Sequence, residues 1–136
     1  MERYPELLRT LLVNRGITDA ETAEKFLHPD YERDLHDPLL LKDMDRAVER
    51  IERAMRDNER IVVYGDYDCD GIPGSVVLHD FFKHAGYTNF SVYIPHRYDE
   101  GYGVHRLAVE QLAGEGAKVM ITVDTGITEH ETIALA

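Results

Sequence analysis

A short apolar run that leads directly into an acidic turn constrains the fold of this chain more than any other feature. Residues 61–64, Ile-Val-Val-Tyr, are all apolar and either β-branched or aromatic, without the alternation of a half-exposed strand. Such a run is typical of a strand buried on both faces, as in parallel sheets. Asp66, Asp68 and Asp70 follow at alternate positions, with a glycine on either side of the group. The sequence therefore predicts a central strand with carboxylates just beyond its carboxyl end.

The three aspartates suggest a cation site. In an extended or tightly turned segment, alternate side chains point the same way. Like charges held that close raise one another's pKa, and a hard divalent cation such as Mg²⁺ or Mn²⁺ relieves the repulsion. A solvated Asp-rich turn has the same spacing, so the spacing alone leaves both interpretations open. An EF-hand calcium loop is excluded, because Val77 stands where that loop needs a bidentate glutamate.

Composition narrows the class of protein. The chain has 136 residues, 43% hydrophobic and 30% charged, which suits one globular domain or part of a larger one. No apolar run approaches the roughly 20 residues of a membrane span, and the N-terminus lacks a secretory signal pattern. The single cysteine, Cys69, excludes an intramolecular disulfide, so we expect a cytoplasmic protein. The net charge of −11 argues against broad, non-specific binding of nucleic acid by this chain alone.

The order of apolar patterns predicts an α/β fold. Residues 1–42 form a helical lead-in, and residues 43–136 form the main domain. In the main domain, strands expected at 61–64, 90–94 and 119–123 alternate with helical patterns. We therefore predict a Rossmann-like parallel sheet with right-handed crossovers and helices on both faces.

All three predicted strands end in polar residues, at the edge where parallel sheets bind ligands. The aspartates follow the first strand, the segment 95–103 (PHRYDEGYG) follows the second, and Asp124 follows the third. Acids from two strands are thus placed to share a divalent cation. His96 and Arg97 are placed to hold an anionic substrate above it. A purely structural role for Asp124, as the cap of the last helix, stays open.

Three motifs in order resemble those of the DHH phosphoesterase superfamily. Residues 64–71 (YGDYDCDG) are similar to its first motif, and residues 123–127 (VDTGI) are similar to its second. The segment 94–103 (IPHRYDEGYG) narrows the resemblance to the bacterial single-strand-specific DNA exonucleases of that superfamily. Segments of the lead-in agree: 26–29 (FLHP), 37–38 (DP) and 44–47 (MDRA). The resemblance covers nearly the whole chain.

The resemblance implies metal-dependent hydrolysis of phosphodiester bonds, with 5′-to-3′ digestion of single-stranded DNA in repair and recombination. It implies that Asp68, Asp70 and Asp124 are catalytic and bind Mn²⁺ or Mg²⁺, with Asp66 as a further ligand or a residue behind the ligands. Two ions roughly 4 Å apart would activate a water and stabilise the leaving oxygen. The implied substrate-binding residues are His96, Arg97, Tyr98 and Ser75. Implied partners are single-stranded DNA and, through a longer enzyme, single-strand-binding protein or a helicase.

The sequence departs from the family pattern in two places. Where the family has a threonine and then small hydroxyl residues, residues 72–75 are Ile-Pro-Gly-Ser, so Ser75 is the remaining hydroxyl. Pro73 suits the first turn of a helix. The Asp-His-His motif that names the superfamily does not occur in the 136 residues. We therefore expect residues 43–136 to be the N-terminal part of a DHH catalytic domain. We also expect the 136-residue chain to be inactive and of marginal solubility by itself.

Two other functions stay open. One is a different member of the same superfamily, acting on short oligonucleotides, cyclic dinucleotides or pyrophosphate, although the segment 97–103 (RYDEGYG) argues against it. The other is a non-catalytic module that binds a divalent ion or a partner protein. A nucleotide-binding α/β domain is disfavoured, because neither G-x-G-x-x-G nor a P-loop follows the first strand.

Overall fold

The N-terminal unit is a small helical cluster. The computed structural model describes residues 1–136, and its contacts divide the chain into two compact units, Met1–Met44 and Asp45–Ala136. The first unit contains helices α1 (Glu6–Val13), α2 (Ala20–Leu27) and α3 (Tyr31–Asp34), and a 3₁₀ turn at Pro38–Leu40. Its core consists of Leu12, Ile17 and Ala23, packed against Met1, Tyr4, Leu8 and Leu27. The predicted helical lead-in is confirmed, and it includes the short helix α3.

The second unit is a three-stranded parallel sheet with helices around it. Its elements in chain order are α4 (Met44–Arg56), β1 (Arg60–Tyr64), α5 (Gly71–His84), β2 (Phe90–Tyr93), α6 (Arg106–Gly114), β3 (Ala117–Thr122) and α7 (His130–Leu135). The strand order is β2-β1-β3, and both pairings are parallel. The predicted fold class is confirmed. None of the helices combines the length and the apolar character that crossing a bilayer requires.

Strand β1 forms the centre of the core, because residues 61–64 are completely buried. Its side chains alternate between two apolar clusters. Val62 and Tyr64 pack on one face of the sheet, with Val104, Ala108, Val109 and Leu112. Ile61 and Val63 pack on the other face, with Ala54, Phe82 and Tyr87. Full burial of each such side chain contributes about 1.5–3 kcal/mol to stability.

The register of the sheet brings the three strand ends to one edge. Tyr64 pairs with Tyr93 on one side and with Thr122 on the other. Two more hydrogen bonds extend this ladder, from the Gly65 N–H to the Tyr93 carbonyl and from the Val123 N–H to the Tyr64 carbonyl, both 2.9 Å. The segments that follow the strands therefore leave the sheet side by side.

Candidate metal centre

Asp66 is the buried member of the acidic turn, with 1% of its surface exposed. Its Oδ1 accepts a hydrogen bond from the N–H of Tyr67 at 2.6 Å. Its Oδ2 is buried and has no hydrogen-bond partner. Leaving a buried carboxylate oxygen unpartnered costs free energy, and a cation would supply the missing interaction.

Asp68 and Asp70 are exposed, so the three aspartates do not share one environment. The chain turns after Asp66, and Asp68 then accepts hydrogen bonds at the start of α5. Its Oδ1 receives the N–H groups of Gly71 and Asp70, each at 2.9 Å. These two bonds, together with the charge of Arg97, hold the pKa of Asp68 below its usual value. Asp68 is therefore an ionised carboxylate with a fixed direction.

Gly71 closes the acidic turn tightly. A Cβ atom at this position would lie 2.7 Å from the carbonyl oxygen of Asp66 and 2.8 Å from its Cβ. Backbone contacts that short leave room only for glycine. Pro73 lies in the first turn of α5, where its missing N–H and fixed φ are tolerated. The departure from the family pattern at Pro73 is thus compatible with the fold.

Asp124 brings a fourth carboxylate from the end of β3. It is exposed and has a left-handed φ of 57°. Desolvation and the charges of Asp68, Asp70 and Asp66 raise its pKa. Asp124 does not cap α7, which begins at His130, so that alternative is wrong. Carboxylates from the ends of two strands are therefore close enough to interact electrostatically.

The four carboxylates fit a divalent cation by their chemistry. All of the donors are oxygens, which Mg²⁺ and Mn²⁺ accept. Two observations add to this: the unpartnered Oδ2 of Asp66, and the pKa of Asp124, which desolvation and then the charges of the other three aspartates raise. Within residues 1–136, no group of three or more His, Cys, Asp or Glu side chains is arranged ready to hold a metal ion.

The segment after β2 presents three predicted substrate-binding residues to solvent. His96, Arg97 and Tyr98 are all exposed, and Tyr98 is 88% exposed. His96 Nδ1 lies 2.7 Å from Oδ2 of Asp99. The guanidinium carbon of Arg97 lies 4.3 Å from the ring centroid of Tyr67, in the acidic turn. The structure therefore brings Arg97 to the aspartates and leaves the Tyr98 ring open.

Glu100 braces this segment, a role that the sequence did not predict. Its carboxylate accepts hydrogen bonds from the Tyr93 hydroxyl and, at 2.6 Å, from the N–H of His96. Both donors hold the pKa of Glu100 below its usual value, with the Tyr93 hydroxyl as the larger cause. Desolvation, followed by the Glu100 carboxylate, raises the pKa of Tyr93. The segment therefore starts from a fixed anchor on β2.

Two further tyrosines hold the loops at the strand ends. The Tyr64 hydroxyl donates to the Gly103 carbonyl at 3.2 Å and accepts from the His105 N–H at 3.3 Å. The Tyr102 hydroxyl donates to the Asp124 carbonyl at 3.1 Å. Sequence reasoning missed both roles. For Tyr64 the available signal was its place at the end of the first strand, in register with Tyr93 at the end of the second; Tyr102 lies in a loop and had no such signal.

Ser75 is placed differently from the other predicted substrate-binding residues. It is buried, and its Oγ has no hydrogen-bond partner. It packs on the end of β1, because a Cβ added at Gly65 would lie 2.1 Å from Ser75 Oγ. Ser75 therefore occupies the space that Gly65 leaves free, and its contact with substrate stays a prediction.

Comparison with known proteins identifies the family to which this sequence is similar. The family model for the N-terminal domain of the DHH family matches residues 60–136. The single-stranded-DNA-specific exonuclease RecJ of Bacillus subtilis (strain 168) is 43% identical over 127 residues, which are 92% of this chain and 16% of that protein. The exonuclease of the same name from Escherichia coli (strain K12) is 32% identical over 126 residues, 93% of this chain and 21% of that protein.

A solved structure has the same fold. The crystal structure of RecJ in complex with Mn²⁺ from Thermus thermophilus matches with a TM-score of 0.61 and 27% sequence identity. The match covers 93% of this chain and 16% of the solved one. The chain spans between 16% and 22% of the length of the curated relatives.

Proposed function

The chain belongs to the DHH family, and on that premise we propose that it supplies the carboxylates of a metal-dependent phosphodiesterase that digests single-stranded DNA from a 5′ end. Support for the substrate comes from the relatives, which are named single-stranded-DNA-specific exonucleases. Support for the chemistry comes from the acidic edge of the sheet. In this proposal residues 1–42 are a lead-in and residues 43–136 belong to the catalytic domain.

Asp66, Asp68, Asp70 and Asp124 are the proposed metal ligands, with the last three catalytic. When bound, one or two Mn²⁺ or Mg²⁺ ions would activate water and neutralise charge on phosphate oxygens. The matching Thermus thermophilus structure is a complex with Mn²⁺, which supports this choice of metal. Asp68 contributes a carboxylate held ionised by two backbone N–H groups.

Arg97 and His96 are the proposed phosphate-binding groups, and Tyr98 is the proposed stacking surface for a base. Arg97 reaches the acidic turn, since its guanidinium carbon lies 4.3 Å from the centroid of the Tyr67 ring. An exposed ring such as Tyr98 suits stacking, which tolerates any base sequence. A chain with a net charge of −11 repels DNA in general, so cations at this edge matter for binding as well as for chemistry.

A role in repair and recombination, a cytoplasmic location, and partnership with single-strand-binding protein or a helicase complete the proposal. These parts rest on the family resemblance alone. The observation that carries the proposal is the buried Oδ2 of Asp66, which has no hydrogen-bond partner at the edge where the aspartates of two strand ends lie. A buried carboxylate oxygen in that state is destabilising without a cation, which is a reason to infer one.

The test is a nuclease assay on single-stranded DNA labelled at the 5′ end, with Mn²⁺. It uses the 136-residue chain and a chimera in which this chain replaces the aligned segment of the Bacillus subtilis relative. We expect the chimera to be active and Asp68→Asn or Asp124→Asn to lower its rate by more than 100-fold, since even partners of metal ligands are worth roughly 10–100-fold.

Asp57→Asn is the matched control, because Asp57 is an exposed aspartate between α4 and β1. It should leave the rate of the chimera unchanged. A chimera that does not cleave single-stranded DNA but does cleave short oligonucleotides or cyclic dinucleotides would indicate a different substrate within the same family. An active chimera that tolerates both Asp→Asn changes would refute the metal ligands.

A further inference from the structure

A cation–π contact joins the acidic turn to the segment after β2. The guanidinium carbon of Arg97 lies 4.3 Å from the centroid of the Tyr67 ring. That distance is inside the roughly 6 Å at which a guanidinium is attracted to an aromatic face. Tyr67 stands between Asp66 and Asp68, so the ring belongs to the acidic turn itself.

Both partners of the contact are anchored by their backbones. The Tyr67 N–H donates to the buried carboxylate of Asp66 at 2.6 Å. On the other side, the His96 N–H, one residue before Arg97, donates to Glu100 at 2.6 Å. The His96 carbonyl accepts from the N–H groups of Asp99 and Glu100, which folds the segment into a turn. The ring and the guanidinium therefore extend from two backbone segments that are each held by hydrogen bonds.

The contact leaves the hydrogen-bonding capacity of Arg97 intact. Arg97 makes no hydrogen bond or ion pair within the protein; Tyr67 is its contact. The five N–H donors of a guanidinium lie in its plane, whereas an aromatic ring covers only its face. A salt bridge to one of the nearby aspartates would have occupied those donors. A ring holds the cation in place and keeps the donors available for phosphate oxygens.

We infer that Tyr67 is a positioning residue, whose ring holds the Arg97 guanidinium beside the aspartates so that it receives a substrate phosphate group. The inference rests on the proposed function of Arg97 and adds a residue to it. Without the ring, the exposed Arg97 side chain would be free to pair with Asp68, whose carboxylate already feels its charge, and that pairing would compete with phosphate binding. The Tyr67 hydroxyl makes no hydrogen bond, so phenylalanine preserves the contact and leucine removes it.

The geometry is tested by NMR on the 136-residue chain, without substrate or metal. The ring current of Tyr67 should shift the Arg97 Nε–H resonance, and the shift should persist in Tyr67→Phe and vanish in Tyr67→Leu. Tyr31→Leu is the matched control, since Tyr31 is 85% exposed in the N-terminal unit. An Arg97 resonance that is the same in wild type and Tyr67→Leu overturns the inference.

The role is tested by steady-state kinetics of the chimera on 5′-phosphorylated single-stranded DNA. Tyr67→Leu should raise KM roughly two- to five-fold, the value of an exposed cation–π contact, with kcat unchanged and with full rescue by Tyr67→Phe. Equal KM values in wild type and Tyr67→Leu overturn this inference alone. An inactive wild-type chimera overturns the proposed function, and with it the phosphate role of Arg97. A fall in kcat in Tyr67→Phe overturns the positioning role by placing the hydroxyl in the reaction.

Discussion

Strand β1 and the turn that follows it are neighbours in sequence and are held by different forces. Residues 61–64 are held by burial, since all four side chains are completely inside the protein. The turn at 65–70 is held by hydrogen bonds from backbone N–H groups to carboxylates, and its charges repel one another. The comparison teaches that different residues serve the two purposes in this chain: the buried strand stabilises the sheet, and the acidic turn at its edge carries the groups proposed for chemistry.

The largest effect is expected from damage to the core, at Phe82. Phe82 is 1% exposed and packs with Ile61 and Val63, so Phe82→Ala should lower the free energy of unfolding by about 3–5 kcal/mol. Its neighbour Phe81 is 53% exposed, and Phe81→Ala should cost about 0.5 kcal/mol. Urea denaturation measures both. Equal losses would show that burial does not decide stability here.

If Phe82→Ala does not fold, Phe82→Leu keeps the comparison measurable. It retains most of the apolar volume and should cost less than about 1.5 kcal/mol. A loss of the same size in Phe81→Leu would contradict the account in the same way.

A smaller effect is expected from the turn, at Gly71. An added Cβ would meet the Asp66 backbone at 2.7 Å, so Gly71→Ala should destabilise the protein by about 1–3 kcal/mol. Gly114, the last residue of α6, has nothing within 4 Å of an added Cβ. Gly114→Ala should therefore stabilise the protein by up to about 0.5 kcal/mol through helix propensity. Thermal melts of the two variants should shift in opposite directions, and shifts of the same sign would contradict the tight fit at Gly71.

The smallest effect is expected at Glu100, as a dependence of stability on pH. Its folded pKa is lowered by the Tyr93 hydroxyl and the His96 N–H. Its contribution is therefore present above the unfolded pKa and is lost as the pH falls through the lower folded pKa. Urea midpoints measured from pH 6 to pH 3 should fall less steeply in Glu100→Gln than in wild type.

Glu110→Gln is the control for the pH series. Glu110 is an exposed glutamate on α6 that pairs with Arg106 across one helical turn. Its variant should keep the wild-type dependence on pH. Parallel curves for wild type and Glu100→Gln would show that Glu100 does not brace the segment.

The fold was predictable because its signals are local and repeated. The apolar run at 61–64 marks a strand buried on both faces, and burial then fixes it at the centre of the sheet. The predicted ends of helices were less accurate where two neighbouring polar residues could each cap the helix. Residues 18–21 (TDAE) have the pattern of a capping box that starts at Thr18. The carboxylate of Asp19, one residue later, caps α2 instead by accepting from the Thr22 N–H at 2.8 Å.

The start of α7 was misplaced for a similar reason. Residues 128–131 (TEHE) have the pattern of a capping box that starts at Thr128, yet the helix begins at His130. The Glu129 N–H instead donates to the Gly126 carbonyl at 3.1 Å, and Gly126 has a φ of 90°. A turn that begins at a glycine therefore occupies the segment where the pattern places the first helical turn.

The aspartates of the candidate site could be predicted from the sequence, but the contacts that hold the surrounding loops in place could not. Aspartates at strand ends are recognisable in the sequence, because parallel strands deliver their carboxyl ends to one edge. The hydrogen bonds of Glu100 and Tyr102, and the ring of Tyr67 under Arg97, depend on which loop atoms meet after the sheet has formed. No spacing in the sequence specifies these contacts.

The central claim is that carboxylates from the ends of β1 and β3 bind one divalent site together. The most direct measurement is calorimetric titration of the 136-residue chain with Mn²⁺, in wild type, Asp68→Asn, Asp124→Asn and the control Asp57→Asn. We expect wild type and Asp57→Asn to bind with the same affinity, and each of the other two to lose roughly 10-fold or more. Equal affinity in all four proteins, or no binding by wild type, would contradict a site shared by the two strand ends.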